Sequence, residues 1–191
     1  MAGGSRMTAH AILTATGEDR PGLVEEISEF IFARGGSIQE SRMANLVGQF
    51  AIVALVTGPR DALEKIRAEL TRLEAQAAIE ARLNPVVPRE AAAVPRSSFR
   101  IEGRALDQPG LVHEVADVLR GFQVNIESLE TNVVPAPVTG APVFEMALLV
   151  TVPSDVPVGD LQVELDRVCE SLNIEWTLDA IEAAVPSSDP S

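Results

Sequence analysis

Asp107, Gln108, Pro109, Gly110, Leu111 and Val112 repeat Asp19, Arg20, Pro21, Gly22, Leu23 and Val24 at a distance of 88 residues. Each hexapeptide follows an apolar, strand-like run and opens a segment with helical apolar spacing, so each predicts a strand-to-helix turn. The chemistry open to such a turn is the reception of a small charged group. A helix start carries amides without intrahelical acceptors and the positive end of the peptide dipole, which suit a carboxylate or phosphate. The adjacent aspartate offers an acceptor to an ammonium group. Proline fits the first turn because the amide it lacks has no partner there, and glycine admits a close approach to the backbone. The plainer alternative is that Asp19 and Asp107 only cap helices and the glycines only turn the chain.

Other reactive groups are few. The chain has His10 and His113, the single cysteine Cys169 and no tyrosine, and no pair of Cys or His stands at metal-ligand spacing. His113 falls in the first turn of a helix, where a solvated surface histidine is the expectation. Cys169 lies beside the apolar positions Leu165, Val168 and Leu172, which predicts packing rather than a nucleophile. Trp176 alternates with Ile174 and Leu178 and is expected in a core or a domain interface. No catalytic residue, metal or cofactor is expected, and the chain reads as a non-enzyme.

The elements that hold the two turns repeat as well. Ile27, Phe30, Ile31 and Ile38 match Val115, Val118, Leu119 and Ile126. Further on, Phe50 matches Phe144 and Val56 matches Val150 after six extra residues in the second copy, a stretch that contains Pro135, Pro137, Gly140 and Pro142. Ile66, Leu70, Leu73 and Ile79 match Leu161, Leu165, Val168 and Ile174. A repeat of this length is a domain duplication. In the first copy, strands are expected at His10–Ala15, Ser37–Val47, Gln49–Thr57 and Ala78–Leu83, with Thr16–Arg20 leading into the turn. One helix carries Leu23 to Ile31 and ends at Gly35 and Gly36. A single second helix carries Leu63, Ile66, Leu70 and Leu73, with Asp61 as its N-cap. In the second copy, strands are expected at Phe99–Leu106, near Val124–Val133 and Val143–Val152, and through Ile174, Trp176 and Leu178, with helices at Gly110–Gly121 and Val158–Leu172.

Each half thus reads strand, helix, strand, strand, helix, strand. With right-handed crossovers this is an α+β, ferredoxin-like βαββαβ sandwich whose antiparallel sheet has helices on one face. The expected domains are 9–84 and 98–183, joined by a Pro-rich linker at 85–97 in which a short helix at Glu90–Ala93 remains open. Residues 1–8 read as a tail or a cloning scar ahead of Met7, and 184–191 as a disordered C-terminal tail.

Composition narrows the partners. Fifteen basic and 28 acidic residues give a net charge of −13, which disfavours direct nucleic-acid binding, since that depends on clustered Lys and Arg. The ferredoxin-like fold also serves RNA-binding domains, but these stack bases on aromatic residues of the middle strands, where this chain has mainly Ile, Val, Leu and Ala. A lone cysteine permits no internal disulfide, and no apolar run approaches bilayer-spanning length. No membrane association and a cytoplasmic location are expected.

The turns and the Asn125–Ile126 pair resemble the ACT domain, a small regulatory module that binds amino acids, in which Asp-x-Pro-Gly-Leu/Val follows the first strand and Asn-Ile begins the second. Two such copies with little else attached resemble the glycine cleavage system transcriptional repressor family. Ser37, Ile38, Gln39, Glu40, Ser41 and Arg42, together with Ala141, Pro142, Val143, Phe144, Glu145 and Met146, add to that likeness. The resemblance spans about Ala9 to Glu182. It implies domains paired side by side, a homodimer, and amino-acid sites where the first turn of one domain meets the second strand of a neighbour. Carried over by residue, Asp19, Gly22, Leu23 and Val24 form one half-site, and Asp107, Gly110, Leu111 and Val112 the other. Asn125 is then the facing polar residue beside Ile126, and Ser37 stands where the first copy departs from the pattern. Serine has no amide, so the two sites need not be equivalent. The resemblance further implies a small amino acid as ligand, with glycine the first candidate, and transcriptional control through contact with a DNA-binding regulator. A regulatory subunit of an amino-acid metabolic enzyme and a ligand-free dimerising scaffold remain as alternatives. The Val133–Pro142 hairpin is either a contact loop or an ordinary solvated hairpin.

Overall fold

Alternation in the first strand sets the fold of the first half. In the computed structural model, which describes residues 8–87 and 96–181, Ala11, Leu13 and Ala15 of β1 (Thr8–Glu18) point into the core. They meet Phe50, Ile52, Ala54 and Val56 of β3 (Gln49–Pro59), which alternate in the same way. Above that face lies α1 (Leu23–Phe32), whose Leu23, Ile27, Phe30 and Ile31 recur at helical spacing and are all buried. Two short helices, α2 (Arg60–Ala68) and α3 (Leu70–Ala77), complete the layer. The edges are β2 (Ser37–Leu46) and β4 (Ile79–Val86), and the strand order is β2-β3-β1-β4, all antiparallel.

The second half repeats this plan. It runs β5 (Arg96–Leu106), α4 (Leu111–Gly121), β6 (Asn125–Pro135), β7 (Pro142–Pro153), α5 (Val158–Ser171) and β8 (Glu175–Ile181), with strand order β6-β7-β5-β8. Its core gathers Ile101, Leu148 and Val150 from the sheet with Leu111, Val115 and Leu119 of α4 and Leu161, Leu165 and Cys169 of α5. Even the irregularities are copied. A bulge interrupts β2 between Ile38 and Glu40 and β6 between Ile126 and Ser128, leaving Gln39 and Glu127 without a ladder partner. The chain therefore folds as two ferredoxin-like βαββαβ units, and it divides into them between Ala91 and Ala92.

Several expectations are corrected. The second helix of the first unit is two helices, broken at Glu69, whose φ of −100° and ψ of 7° leave the helical region. Glu69 accepts from Arg34 Nε at 3.1 Å and Nη2 at 2.6 Å, and the Arg34 guanidinium also lies 3.5 Å from the Phe30 ring centroid. Asp61 is not the N-cap. Pro59 holds that place, no side chain caps the helix, and Asp61 sits within its first turn, where it still favours the positive end of the dipole. β1 continues to Glu18 instead of ending at Ala15. β4 runs through Pro85 to Val86 and β5 begins at Arg96, so strands occupy both ends of the expected linker at 85–97. Pro85 is tolerated because β4 is an edge strand that needs its amides on one side only. The expected helix at Glu90–Ala93, residues 1–7 and the tail at 184–191 lie outside the described residues.

The face of each sheet turned away from its helices differs between the units. In the first, Ile12, Thr14, Ala51, Val53 and Leu55 occupy the two central strands on that face; in the second, Arg100, Glu102, Arg104 and Glu145 do so together with Ala147 and Leu149. No Phe, Tyr or Trp stands at these positions, so neither face has the stacking platform that single-stranded RNA needs.

Leu165 is wholly buried whereas Val163, on the same helix, is 68% exposed. Leu165→Ala should destabilise the second unit by about 2–5 kcal/mol, and Val163→Ala should leave it nearly unchanged. Denaturant unfolding followed by the fluorescence of Trp176, the single tryptophan, checks both.

Candidate functional site

Both turns start their helices without a side-chain cap. The N-caps are Gly22, at φ 89° and ψ −9°, and Gly110, at φ 100° and ψ −11°. That left-handed geometry is open to glycine and strained for other residues. Neither Asp19 nor Asp107 caps its helix, which removes that part of the plainer alternative. With no cap side chain, the Val24 and Glu25 amides of α1 and the Leu111, Val112 and His113 amides of α4 have no acceptor among the described residues. These free donors and the dipole make both helix starts anion-receptive.

The leucine after each glycine fastens the turn. Leu23 and Leu111 are 1% and 2% exposed and belong to the cores, so only their backbone can meet a ligand. Val24 is half-exposed and Val112 partly so. The residue after each aspartate supplies a second anchor. Arg20 Nη2 donates to the Ala77 carbonyl at 3.4 Å, and Gln108 Nε2 donates to the Leu172 carbonyl at 2.9 Å, so each turn is tied to the end of the helix preceding the last strand.

The surroundings of the two aspartates differ. The Asp19 carboxylate accepts from Asn45 Nδ2, and Arg20 forms a two-pronged ion pair with Glu26, at 2.6 and 2.8 Å. The hydrogen bonds from Arg20 hold the Glu26 carboxyl below its usual range. In the second unit, Asp107 has no side-chain partner among the described residues. Its amide donates to the Pro142 carbonyl at 3.0 Å, as that of Asp19 does to Gly48 at 2.8 Å. A cleft of about 470 Å³ lies beside the first turn, bounded by Asp19, Gly22, Val24, Ser28, Met43 and Phe50.

Ser37 and Asn125 are not brought to the turn of their own unit. Each begins its edge strand, while the turn is bonded to the hairpin beyond that strand's far end. Ten residues of extended chain separate the two in the first unit, about 30 Å. Asn125 Nδ2 donates to Glu127 Oε1 at 2.7 Å, and Thr151 Oγ1 donates to the same oxygen at 2.9 Å. A second cleft, of about 460 Å³, surrounds Asn125 and Ile126 and includes Arg96 and Arg120. Arg120 is paired with Asp117 at 2.6 Å.

Sequence reading missed Asn45, the Arg20–Glu26 pair and the two arginines near Asn125. Only Asn45 carried a local signal, because Asn three residues before Gly48 is a turn pattern, and its amide does accept from Gly48 N–H at 3.2 Å. Of the remaining reactive groups, His113 is exposed, and no group of His, Cys, Asp and Glu among the described residues is arranged to hold a metal. Trp176 packs against the second core and donates from Nε1 to Asp166 at 3.0 Å. Among the described residues no helix is long and apolar enough to cross a membrane.

Comparison with known proteins bears on both halves. Residues 9–84 match the ACT domain family model. The chain is 24% identical over 179 residues to the glycine cleavage system transcriptional repressor of Escherichia coli K12, covering 90% of each chain. A crystal structure of an unknown protein from Galdieria sulphuraria matches 92% of this chain and 99% of its own, at 25% identity and a TM-score of 0.78. A second, solved under the provisional name of glycine cleavage system transcriptional repressor, shares the fold at 22% identity and a TM-score of 0.67, covering 93% and 99%. Residues 9–84 thus resemble the ACT domain, and the chain along most of its length resembles the glycine cleavage system transcriptional repressor.

Cys169 is buried in the second core, and burial pushes its thiol up to about 11. The thiolate is the reactive form, so a disulfide reagent at pH 8 should label Cys169 far more slowly in the folded protein than in denaturant. Equal rates would contradict this burial.

Proposed function

We propose that this chain is a tandem ACT-domain protein, a non-catalytic sensor that binds a small amino acid, glycine first among the candidates, and passes the signal on by protein contact. The observation that carries the reading is the pair of uncapped helix starts. Each carries acceptor-free amides within the six residues that follow an aspartate, which suits the two ends of a zwitterion: donors for its carboxylate and an acceptor for its ammonium. Asn125 and Ser37, remote from the turn of their own unit, fit a site completed by the edge strand of another ACT domain. A homodimer supplies such strands.

The output is transcriptional control by way of a DNA-binding regulator. The likeness to a transcriptional repressor supports control of transcription, and the charge supports an indirect route. The first unit has 10 basic and 12 acidic residues and the second 5 and 16, so the second is strongly anionic and repels a phosphate backbone. The same charge attracts a basic protein. The protein works in the cytoplasm, where both an amino-acid pool and such a regulator are at hand.

Thermal unfolding of the full chain against glycine, serine and the other amino acids tests the reading. A ligand at 100 times its dissociation constant should add about 2.7 kcal/mol of stability, and a selective midpoint shift names it. No shift from any amino acid would favour the dimerising scaffold. Affinity capture separates the outputs: a DNA-binding regulator supports the proposal, whereas a biosynthetic enzyme supports a trans-acting regulatory subunit. Asn125→Ala should weaken ligand binding more than Ser37→Ala, as read by titration calorimetry.

A further inference from the structure

In the first unit the acceptor of the turn is already occupied. Asn45 Nδ2 donates to Asp19 Oδ2, the Asn45 carbonyl oxygen accepts from Gly48 N–H at 3.2 Å, and Asp19 N–H donates to the Gly48 carbonyl at 2.8 Å. These three bonds close a clasp between the turn and the tip of the β2–β3 hairpin. The second unit keeps only the backbone bond, from Asp107 N–H to the Pro142 carbonyl at 3.0 Å, and lacks the two side-chain bonds. Asn45 lies across the ladder from Phe50, and the residue across from the matching Phe144 is Val133, which has no donor.

The neighbourhoods of the two glycines differ in the same sense. Glu26, held by Arg20, stands 3.9 Å from where a side chain on Gly22 would begin, whereas nothing lies within 4 Å of the corresponding point on Gly110. The first turn thus has its aspartate engaged and a carboxylate of its own nearby. Among the described residues, the second has an aspartate without a side-chain partner, open space and three amides without acceptors.

We propose that Asn45 is an internal stand-in for the ammonium group of a ligand, latching the first site while the second stands open to fill. This rests on the amino-acid reading above. A side-chain amide is a neutral donor, and an ammonium group makes a charge-assisted bond about twice as strong. The latch therefore yields to ligand at higher concentration instead of abolishing the site, and the cleft retained beside Asp19 fits a site that is shut but not filled in.

Titration calorimetry of the full chain with each proteinogenic amino acid, glycine first, counts sites per chain. The wild type should show one high-affinity site, lost in Asp107→Ala and kept in Asp19→Ala. Asn45→Val, which installs the residue of the second unit, should show two, the added one disappearing when Asp19→Ala is combined with it. Asn45→Leu, close to asparagine in size and without a donor, should give the same gain if valine disturbs the hairpin. A site gained in either Asn45 variant over a wild type that binds nothing also supports the latch. Two equal sites in the wild type, loss of its single site in Asp19→Ala, or no gain in Asn45 variants that melt like wild type would overturn it while leaving amino-acid binding intact. The absence of binding heat in every variant would overturn both.

Discussion

A helix that begins on a left-handed glycine keeps its first amides for something outside itself, and the rest of each unit is arranged around that constraint. A serine or aspartate at the N-cap would consume one of those donors with its own side chain. Gly22 and Gly110 consume none. A bare turn of this kind needs support from elsewhere, and it comes from two directions. The next residue, leucine in both copies, is sunk into the core, and the residue after the aspartate reaches across to the carbonyl at the end of the neighbouring helix. Arginine does this in one copy and glutamine in the other, so the geometry is retained while the charge changes.

The fold was legible because it depends on periodicity and repetition, both of which a single sequence carries. The buried faces of α1, α4 and α5 are built from the residues whose spacing pointed inward, whereas the alternation of β1 was weak in the sequence. The departures have local physical causes that spacing does not encode. The break at Glu69 goes with an ion pair to Arg34, 35 residues away in sequence. The strand at Pro85 depends on β4 lying at an edge, which is a property of the sheet rather than of the segment. Asp61 has the right residue type for a cap but stands two places too late.

At the site, the sequence located the turns and not what surrounds them. Asp19 and Asp107 are indistinguishable in the repeat, yet one is engaged by a side chain 26 residues away and the other is not. Asn45 lies on an edge strand, and which face it presents depends on a bulge at Gln39 that alternation does not announce. The pairing of Asn125 with Glu127 has the same origin, since the matching bulge in β6 leaves Glu127 outside the ladder and free to accept from both Asn125 and Thr151.

Duplication within one polypeptide releases the two copies from each other. When identical domains associate about a twofold axis, symmetry forces every substitution to appear twice, so both sites drift together and answer at one concentration. A covalent tandem lifts that requirement, and here the two halves already differ in net charge, in the character of their open sheet faces and in the company their aspartates keep. Inequivalent sites divide a concentration range between them. A tandem whose two sites differ in affinity has a dynamic range that a symmetric pair of the same domains cannot have, and mutation can tune its low end without disturbing the high end.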